Sequence, residues 1–310
     1  MHTKTLKKLA LALTFWLALH TTSLKAQILG PLGPYTDDSA TLSFDSSGIF
    51  SVTGAGTGTL TLSGAGTKMF WYPKLGAFRA GYVDGSEWDA ANIGKYSVAF
   101  GWDTTASGLY SVAFGHNASA SGTGSVAFGC YSSASNYYSV AFGFVTQASG
   151  VGSVAMGQYS TASNKYATAF GSDSSASGAY SMATGSYTSA SGKNSTASGY
   201  QTTASGYNST ASGYQATANS LDSFVVGAYN TGKNENPTHA VSPTSWNHTL
   251  GAADPLFEVG NGTGTGTSAS DALVVYKDGN AKFPATTSTV TAATFVTTAA
   301  SGDIPMYTGN

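Results

Sequence analysis

A strictly periodic repeat of 14 residues constrains this chain more than any other feature of its sequence. Nine consecutive units run from Tyr96 to Leu221 without insertion or deletion, and a partial tenth unit closes at Gly232. Position 6 is Gly in all ten units, and positions 4 and 11 are Ala in the nine full units. Sameness of this kind within one chain indicates a geometric requirement that recurs in every unit.

The repeat length and its small residues predict an all-β fold, a parallel β-roll or solenoid of about ten 14-residue coils. One coil would hold two strands of about four residues and two tight turns, and stacked coils pair about 4.8 Å apart. The recurring Gly would supply a positive φ or a close backbone approach at a turn, and the recurring Ala would fit a thin interior. These structural positions are Gly101, Gly115, Gly129, Gly143, Gly157, Gly171, Gly185, Gly199, Gly213 and Gly227, with Ala106, Ala120, Ala134, Ala148, Ala162, Ala176, Ala190, Ala204 and Ala218.

Positions 3 and 5 of the unit share one strand face, and the Ala at position 4 lies on the other. In the first five units the larger face carries Val98, Phe100, Val112, Phe114, Val126, Phe128, Val140, Phe142, Val154 and Met156. Burying one Val and one Phe is worth roughly 3–6 kcal/mol gross, so an exposed stripe of such pairs is unfavourable. Two alternatives remain at this level. Either Ala lines the interior and the Val/Phe face is buried in a homotrimer, or Val and Phe point inward.

The apolar stripe fades in units eight and nine, where Thr and Ser take positions 3 and 5. There the unit also splits into near-identical halves, which predicts a more polar and weaker contact at this end. Aromatic side chains recur at position 7 or 8, and they form a candidate ligand surface. Its members are Trp102, Tyr131, Phe144, Tyr159, Tyr187, Tyr200 and Tyr214. The alternative is that these side chains only cover the backbone of a turn.

The motif Ser-Val-Ala-Phe-Gly followed by four residues and Ala-Ser-Gly resembles the head repeat of the YadA-like trimeric autotransporter adhesins. The resemblance covers Tyr96 to Gly232 and implies a left-handed parallel β-roll that assembles as a homotrimer. It also implies a bacterial cell-surface, outer-membrane or extracellular location. Phe replaces the family's more usual Ile at position 5. The sequence offers neither a heptad stalk nor membrane-anchor strands after the repeats, so a transmembrane anchor is not expected in this chain.

The segments that flank the repeats differ from them in composition. A basic start, Lys4 to Lys8, followed by the apolar run Leu9–Leu19, predicts a signal peptide and therefore export. Short alternating runs at 40–44 and 58–62 predict strands, and Asp278-Gly279 predicts a hairpin turn. The predicted segments are a signal peptide (1–26), a short-strand region (27–67), a solenoid cap (68–95), the head repeats (96–232), a loop (233–253), a β-hairpin module (254–283) and an extended tail (284–310). Within the cap, Trp71 and Trp88 offer a candidate ligand pocket.

The composition argues against catalysis. Charged residues make up 9% of the chain, and between Tyr96 and Leu221 they are only Asp103, Lys165, Asp173 and Lys193. These positions offer no carboxylate pair for acid–base chemistry, and the histidines lack metal-ligand spacing. The single cysteine, Cys130, and His116 are expected at an exposed turn. We therefore predict no catalytic, cofactor or metal site, and the net charge of −2 gives no case for a nucleic-acid partner.

Three functions are compatible with this pattern. The first is a trimeric surface adhesin or fibre head that binds extracellular matrix protein, another cell surface or a polysaccharide. The second is a purely structural fibre or spacer. The third is an ice-binding solenoid, which is suggested by the short Thr/Ser ladders in units eight and nine.

Overall fold

A computed structural model describes the repeats and parts of both flanks. The described residues are 60, 62–230, 254–265, 268–277 and 281–282, with the strand backbone of 41–44 and 50–53. The predicted signal peptide, the loop at 233–253 and the tail at 284–310 lie outside the described residues. The chain divides into two compact units, of which the first holds the antiparallel pair β1 (Thr41–Phe44) and β2 (Phe50–Thr53). The predicted strand at 58–62 is mostly undescribed, and its Leu60 and Leu62 are not in a strand.

The second unit begins with β3 (Gly66–Tyr72), β4 (Ala77–Val83) and a short 3-10 helix (Ala90–Asn92). The long strands of the coils are β5 (Val98–Trp102), β7 (Val112–His116), β9 (Val126–Cys130), β11 (Val140–Phe144), β13 (Val154–Gln158), β15 (Thr168–Ser172), β17 (Met182–Ser186), β19 (Thr196–Tyr200), β21 (Thr210–Tyr214) and β23 (Phe224–Ala228). The short strands are β6 (Thr105–Ala106), β8 (Ser119–Ala120), β10 (Ser133–Ala134), β12 (Gln147–Ala148), β14 (Thr161–Ala162), β16 (Ser175–Ala176), β18 (Ser189–Ala190), β20 (Thr203–Ala204) and β22 (Thr217–Ala218). The predicted all-β solenoid is therefore confirmed, with nine complete coils and the first strand of a tenth.

Equivalent residues of successive coils lie side by side. The long strands pair in parallel with a constant offset, so that Val140 is opposite Val154 and Gly143 is opposite Gly157. The short strands pair in the same way and form a separate nine-stranded sheet. The prediction of two equal strands was wrong, because each coil has one strand of five residues and one of two. Position 7 consequently ends a long strand, so His116 and Cys130 do not lie in a turn.

The interior of the coils is lined by Ala, which decides between the two alternatives left open by the sequence. The side chains at positions 4 and 11, such as Ala141 and Ala148, are fully buried, whereas Val140 and Phe142 face outward. Ser and Thr at positions 2 and 9 complete the interior. Their hydroxyls donate to nearby backbone carbonyls, as Ser111 Oγ does to Gly108 O at 2.7 Å. An interior of four small side chains per coil leaves no room for Phe.

Additional strands cover the two ends of the long-strand sheet, as the predicted cap strands and hairpin require. At the first end β4 pairs in parallel with β5, so that Phe78 lies opposite Val98. At the other end β24 (Pro255–Asn261) pairs in parallel with β23, β25 (Asp271–Tyr276) is antiparallel to β24, and β26 (Ala281–Lys282) is antiparallel to β25. Trp88 is buried within the first cap and donates its indole N–H to Thr104 O at 2.8 Å. The pocket suggested for Trp71 and Trp88 is therefore wrong with respect to Trp88.

Candidate binding surfaces

The glycines at position 6 lie inside the long strands, where backbones of neighbouring coils approach most closely. Their φ values are between +110° and +136°, a region that side-chain-bearing residues rarely adopt. A Cβ placed on Gly143 would come within 1.9 Å of the Gly157 carbonyl oxygen. Close approach within a strand, rather than at a turn as the sequence suggested, is thus the reason for this Gly.

The two turns of each coil depend on residues that sequence reasoning missed. Positions 1 and 8 both adopt the left-handed conformation, with φ of 58° at Tyr110 and 55° at Tyr131. This conformation costs an L-residue other than Gly about 1 kcal/mol or more. The signal was available, because Gly124, Asn194 and Asn117 occupy these positions in other coils and are typical of such turns. Tyr at most of the equivalent positions concealed it.

The Val/Phe face is an outward surface of the long-strand sheet. Rings at position 5 stack on one another, with centroids 4.9 Å apart between Phe100 and Phe114 and 4.8 Å apart between Phe114 and Phe128. Two rings remain largely in solvent, since Phe142 is 51% and Phe170 is 56% exposed. Positions 3 and 5 become Thr and Ser in the eighth and ninth coils, as at Thr196. The described residues thus present an apolar face that ends before the last coils.

The candidate ligand residues lie together along one edge of the solenoid, which we call the strand-end edge and define as positions 7 and 8. Trp102, Phe144, Tyr200 and Tyr214 end long strands, and Tyr131, Tyr159 and Tyr187 follow one residue later. All are exposed, and neighbouring rings lie close, with centroids 5.4 Å apart for Phe144–Tyr159 and 5.0 Å apart for Tyr200–Tyr214. The row is interrupted in the sixth coil, where Ser172 and Asp173 take these positions.

The same edge brings together polar groups. The Cys130 thiol is free and half-buried, and its Sγ lies 3.4 Å from His116 Nδ1 in the preceding coil. Among the described residues, the carboxylates of Asp84, Glu87 and Asp103 lie within 4.8 Å of one another. Backbone amides already occupy part of this cluster, because Asp84 N–H donates to Asp103 Oδ1 at 2.7 Å. The arrangement is accounted for as a turn held by hydrogen bonds.

Donor side chains cap the first end of the short-strand sheet. Each coil donates its N–H groups to carbonyls of the next coil, as Thr105 does to Ala118 O at 2.8 Å, so the first coil exposes unpaired carbonyls. Trp88 donates to one of them, and Arg79 Nη2 donates to Ala106 O at 2.9 Å. Arg79 lies opposite Ala99 and is fully buried, and this burial lowers the pKa of its guanidinium to about 10.

Acceptor side chains cap the opposite end, where N–H groups remain. Asn230 Oδ1 accepts from the Thr217 N–H at 2.7 Å, and its Nδ2 donates both to Thr217 O and to Glu258 Oε2. Glu258 lies opposite Val225 and is only 3% exposed. Burial raises the pKa of this carboxyl to about 7, the Asn230 hydrogen bond lowers it, and the charge of Asp271 raises it.

Comparison with protein families agrees with this geometry. The family model described as YadA head domain repeat matches nine overlapping stretches between residues 93 and 230. The coil length, the parallel register and this match together establish that residues 93–230 are YadA head repeats, a little under half of the 310-residue chain. No curated protein matches the chain. No helix within the described part of the chain is long and apolar enough to cross a membrane.

Proposed function

We propose that this chain is an exported, homotrimeric cell-surface adhesin or fibre head that mediates attachment without catalysis. The observation that carries the proposal is the outward Val/Phe face, with its row of stacked and partly exposed phenylalanines. Soluble monomers rarely leave an apolar stripe of this kind in water. Three copies that share the face would remove it from solvent, and a trimeric adhesin-like head is the assembly associated with YadA head repeats.

Attachment is supported by the chemistry of the remaining surface. The solenoid displays exposed aromatic side chains at both turns of its coils, and aromatic residues are enriched at contact sites. Its few charged groups do not assemble the acid–base pair that hydrolysis of a polysaccharide requires. The predicted signal peptide supports export to the bacterial surface or the extracellular space. The ligand classes that remain are extracellular matrix proteins, cell surfaces and polysaccharides.

The mass of the full chain in solution tests the assembly. We expect a trimer by light scattering and a monomer when Phe114 and Phe128 are both replaced by Ser, because Ser212 shows that Ser is accepted at this position. A matched control, Tyr131→Asn, changes an exposed aromatic on the strand-end edge and should remain trimeric. A monomeric wild type would contradict the trimer, and a trimeric double variant would exclude this face as its interface. Coated beads that adhere to no matrix protein, cell or glycan surface would contradict attachment.

A further inference from the structure

A second row of aromatic side chains lies along the edge opposite the strand-end edge. We call it the tyrosine edge and define it as positions 14 and 1, the turn that leads from each short strand into the next long strand. Tyr occupies position 1 in five coils, namely Tyr96, Tyr110, Tyr138, Tyr166 and Tyr180. These side chains are between 48% and 68% exposed. Their rings follow the coil spacing, with centroids 5.3 Å apart for Tyr96–Tyr110 and 5.4 Å apart for Tyr166–Tyr180.

The backbone at these tyrosines is held in an unfavourable conformation. All five have φ between 52° and 59°, where Gly and Asn are accommodated more readily. The chain uses those residues at the same position in other coils, at Gly124, Gly152, Asn194 and Asn208. The tyrosine side chains do not fill the interior, so packing of the core does not explain the choice. Strain retained at an exposed position points to a role for the side chain at the surface.

Charge distinguishes the tyrosine edge from the strand-end edge. The cations Lys95, Lys165 and Lys193 are all at position 14, and each Nζ lies over a tyrosine ring, at 4.9 Å, 5.2 Å and 5.6 Å from the ring centroid. The acids Asp103 and Asp173 are both at position 8, on the strand-end edge. From Lys95 to Leu221 the tyrosine edge carries no carboxylate. The two edges are therefore similar in aromatic content and opposite in charge.

We propose that the tyrosine edge binds a linear anionic polysaccharide, which specifies a ligand class for the proposed attachment function and rests on it. Apolar C–H faces of sugar rings pack against exposed aromatic rings, and tyrosine hydroxyls supply hydrogen bonds. Lysine ammonium groups pair with carboxylate or sulfate groups of the ligand. Lys165 and Lys193 are two coils apart, about 10 Å at the usual strand spacing, so successive charged groups of one extended chain can reach both. Repulsion from Asp103 and Asp173 disfavours the same ligand on the strand-end edge.

Binding of defined polymers to the full chain tests this assignment. The probes are dextran sulfate, neutral dextran of the same length and oligo(dT). We expect dextran sulfate to bind and its affinity to fall as salt rises, because exposed charges are screened. The triple variant Tyr110→Asn, Tyr138→Asn, Tyr180→Asn should bind at least tenfold more weakly. Replacing the three lysines by Gln should have a similar effect and remove most of the salt dependence.

The strand-end edge provides a matched control. The triple variant Tyr131→Asn, Tyr159→Asn, Tyr187→Asn also replaces three exposed tyrosines with φ between 53° and 55°, and Asn117 shows that Asn is accepted there. We expect this control to bind dextran sulfate like the wild type, and circular dichroism should show both variants folded. Equal loss in both variants, or equal binding of neutral dextran, would overturn the proposal. Tighter binding of oligo(dT) would also overturn it and assign the edge to nucleic acid.

Adhesion separates this inference from the proposed function. If wild-type beads adhere to surfaces and the tyrosine-edge variant adheres equally well, the ligand assignment fails while attachment stands. If wild-type beads adhere to nothing but the purified chain still binds dextran sulfate through the tyrosine edge, the binding site stands and attachment fails.

Discussion

At the scale of the residue, the absence of a side chain matters more than its presence. Gly at position 6 and Ala at positions 4 and 11 recur because coils stack backbone against backbone around a very thin interior. The two requirements differ physically. Gly is needed for a positive φ and for a carbonyl about 2 Å from its missing Cβ, whereas Ala is needed because its side chain is enclosed on all sides.

The substitution Gly143→Ala tests the first requirement. Its new Cβ would lie 1.9 Å from the Gly157 carbonyl oxygen, which belongs to backbone and cannot turn aside. We expect a loss of about 3 kcal/mol or more in the free energy of unfolding, measured by urea denaturation. The control Ser135→Ala removes an exposed hydroxyl from a neighbouring coil and should change stability by less than about 0.5 kcal/mol. Near-wild-type stability of Gly143→Ala would mean that coils separate easily at this point.

At the scale of the element, the ends of the sheets are closed by side chains that match the exposed backbone groups. Donors from Trp88 and Arg79 meet carbonyls at the first end, and Asn230 accepts from an N–H at the last. Open strand edges of this kind otherwise recruit further strands from other chains. A buried charge therefore lies near each end of the Ala column, at Arg79 and at Glu258.

The buried Glu258 makes the second cap sensitive to pH. Its pKa is about 7 in the folded state and 4.5 as the ordinary value, so the folded state binds the proton more tightly. The resulting stabilisation is complete below about pH 4.5 and is lost as pH rises through about 7, a change of at most about 3 kcal/mol. Hydrogen exchange of β24 at pH 5 and pH 8 should therefore show a less stable cap at pH 8.

The variant Glu258→Gln isolates this effect. An amide cannot ionise, yet its oxygen still accepts from Asn230, so protection of β24 should become nearly independent of pH and exceed the wild type at pH 8. The control Glu87→Gln alters a glutamate of the first cap and should leave the pH dependence of β24 unchanged. An unaltered pH dependence in Glu258→Gln would assign the effect to another group.

At the scale of the whole molecule, the solenoid is a sum of nearly equivalent coils, each of which contacts only its neighbours. Deletion of residues 152–165 removes one complete unit and joins position 14 to position 1 in the correct register. We expect this variant to fold, with a loss of about 1–2 kcal/mol for 14 residues. Circular dichroism and thermal unfolding provide the measurement.

Deletion of residues 152–158 is the matched control for that prediction. It removes half a coil and aligns the seven residues of a short-strand half against those of a long-strand half, which displaces the position-6 Gly and the outward Phe from their partners. We expect a large loss of β-structure and of stability. Equal tolerance of both deletions would contradict the proposal that the complete coil is the structural unit.

Much of this architecture was predictable because it is written in a strict period. Gly at position 6 and Ala at positions 4 and 11 recur so regularly that only a stack of equal coils satisfies them, and the number of coils follows by counting. The position of the turns was harder to predict. Tyr131 and Tyr110 are poor indicators of a left-handed backbone, so strand lengths within the coil were misjudged.

The sequence by itself determined the coil length, the parallel register and the sites where only Gly or Ala fits, because each depends on a repeat that is visible along the chain. Only the tertiary structure decided which strand face lines the interior, since both faces are apolar and space, not hydrophobicity, excludes Phe. It also decided how Trp88, Arg79, Asn230 and Glu258 close the ends. Those residues occur once each, and their roles depend on backbone groups that become neighbours only after the coils have stacked.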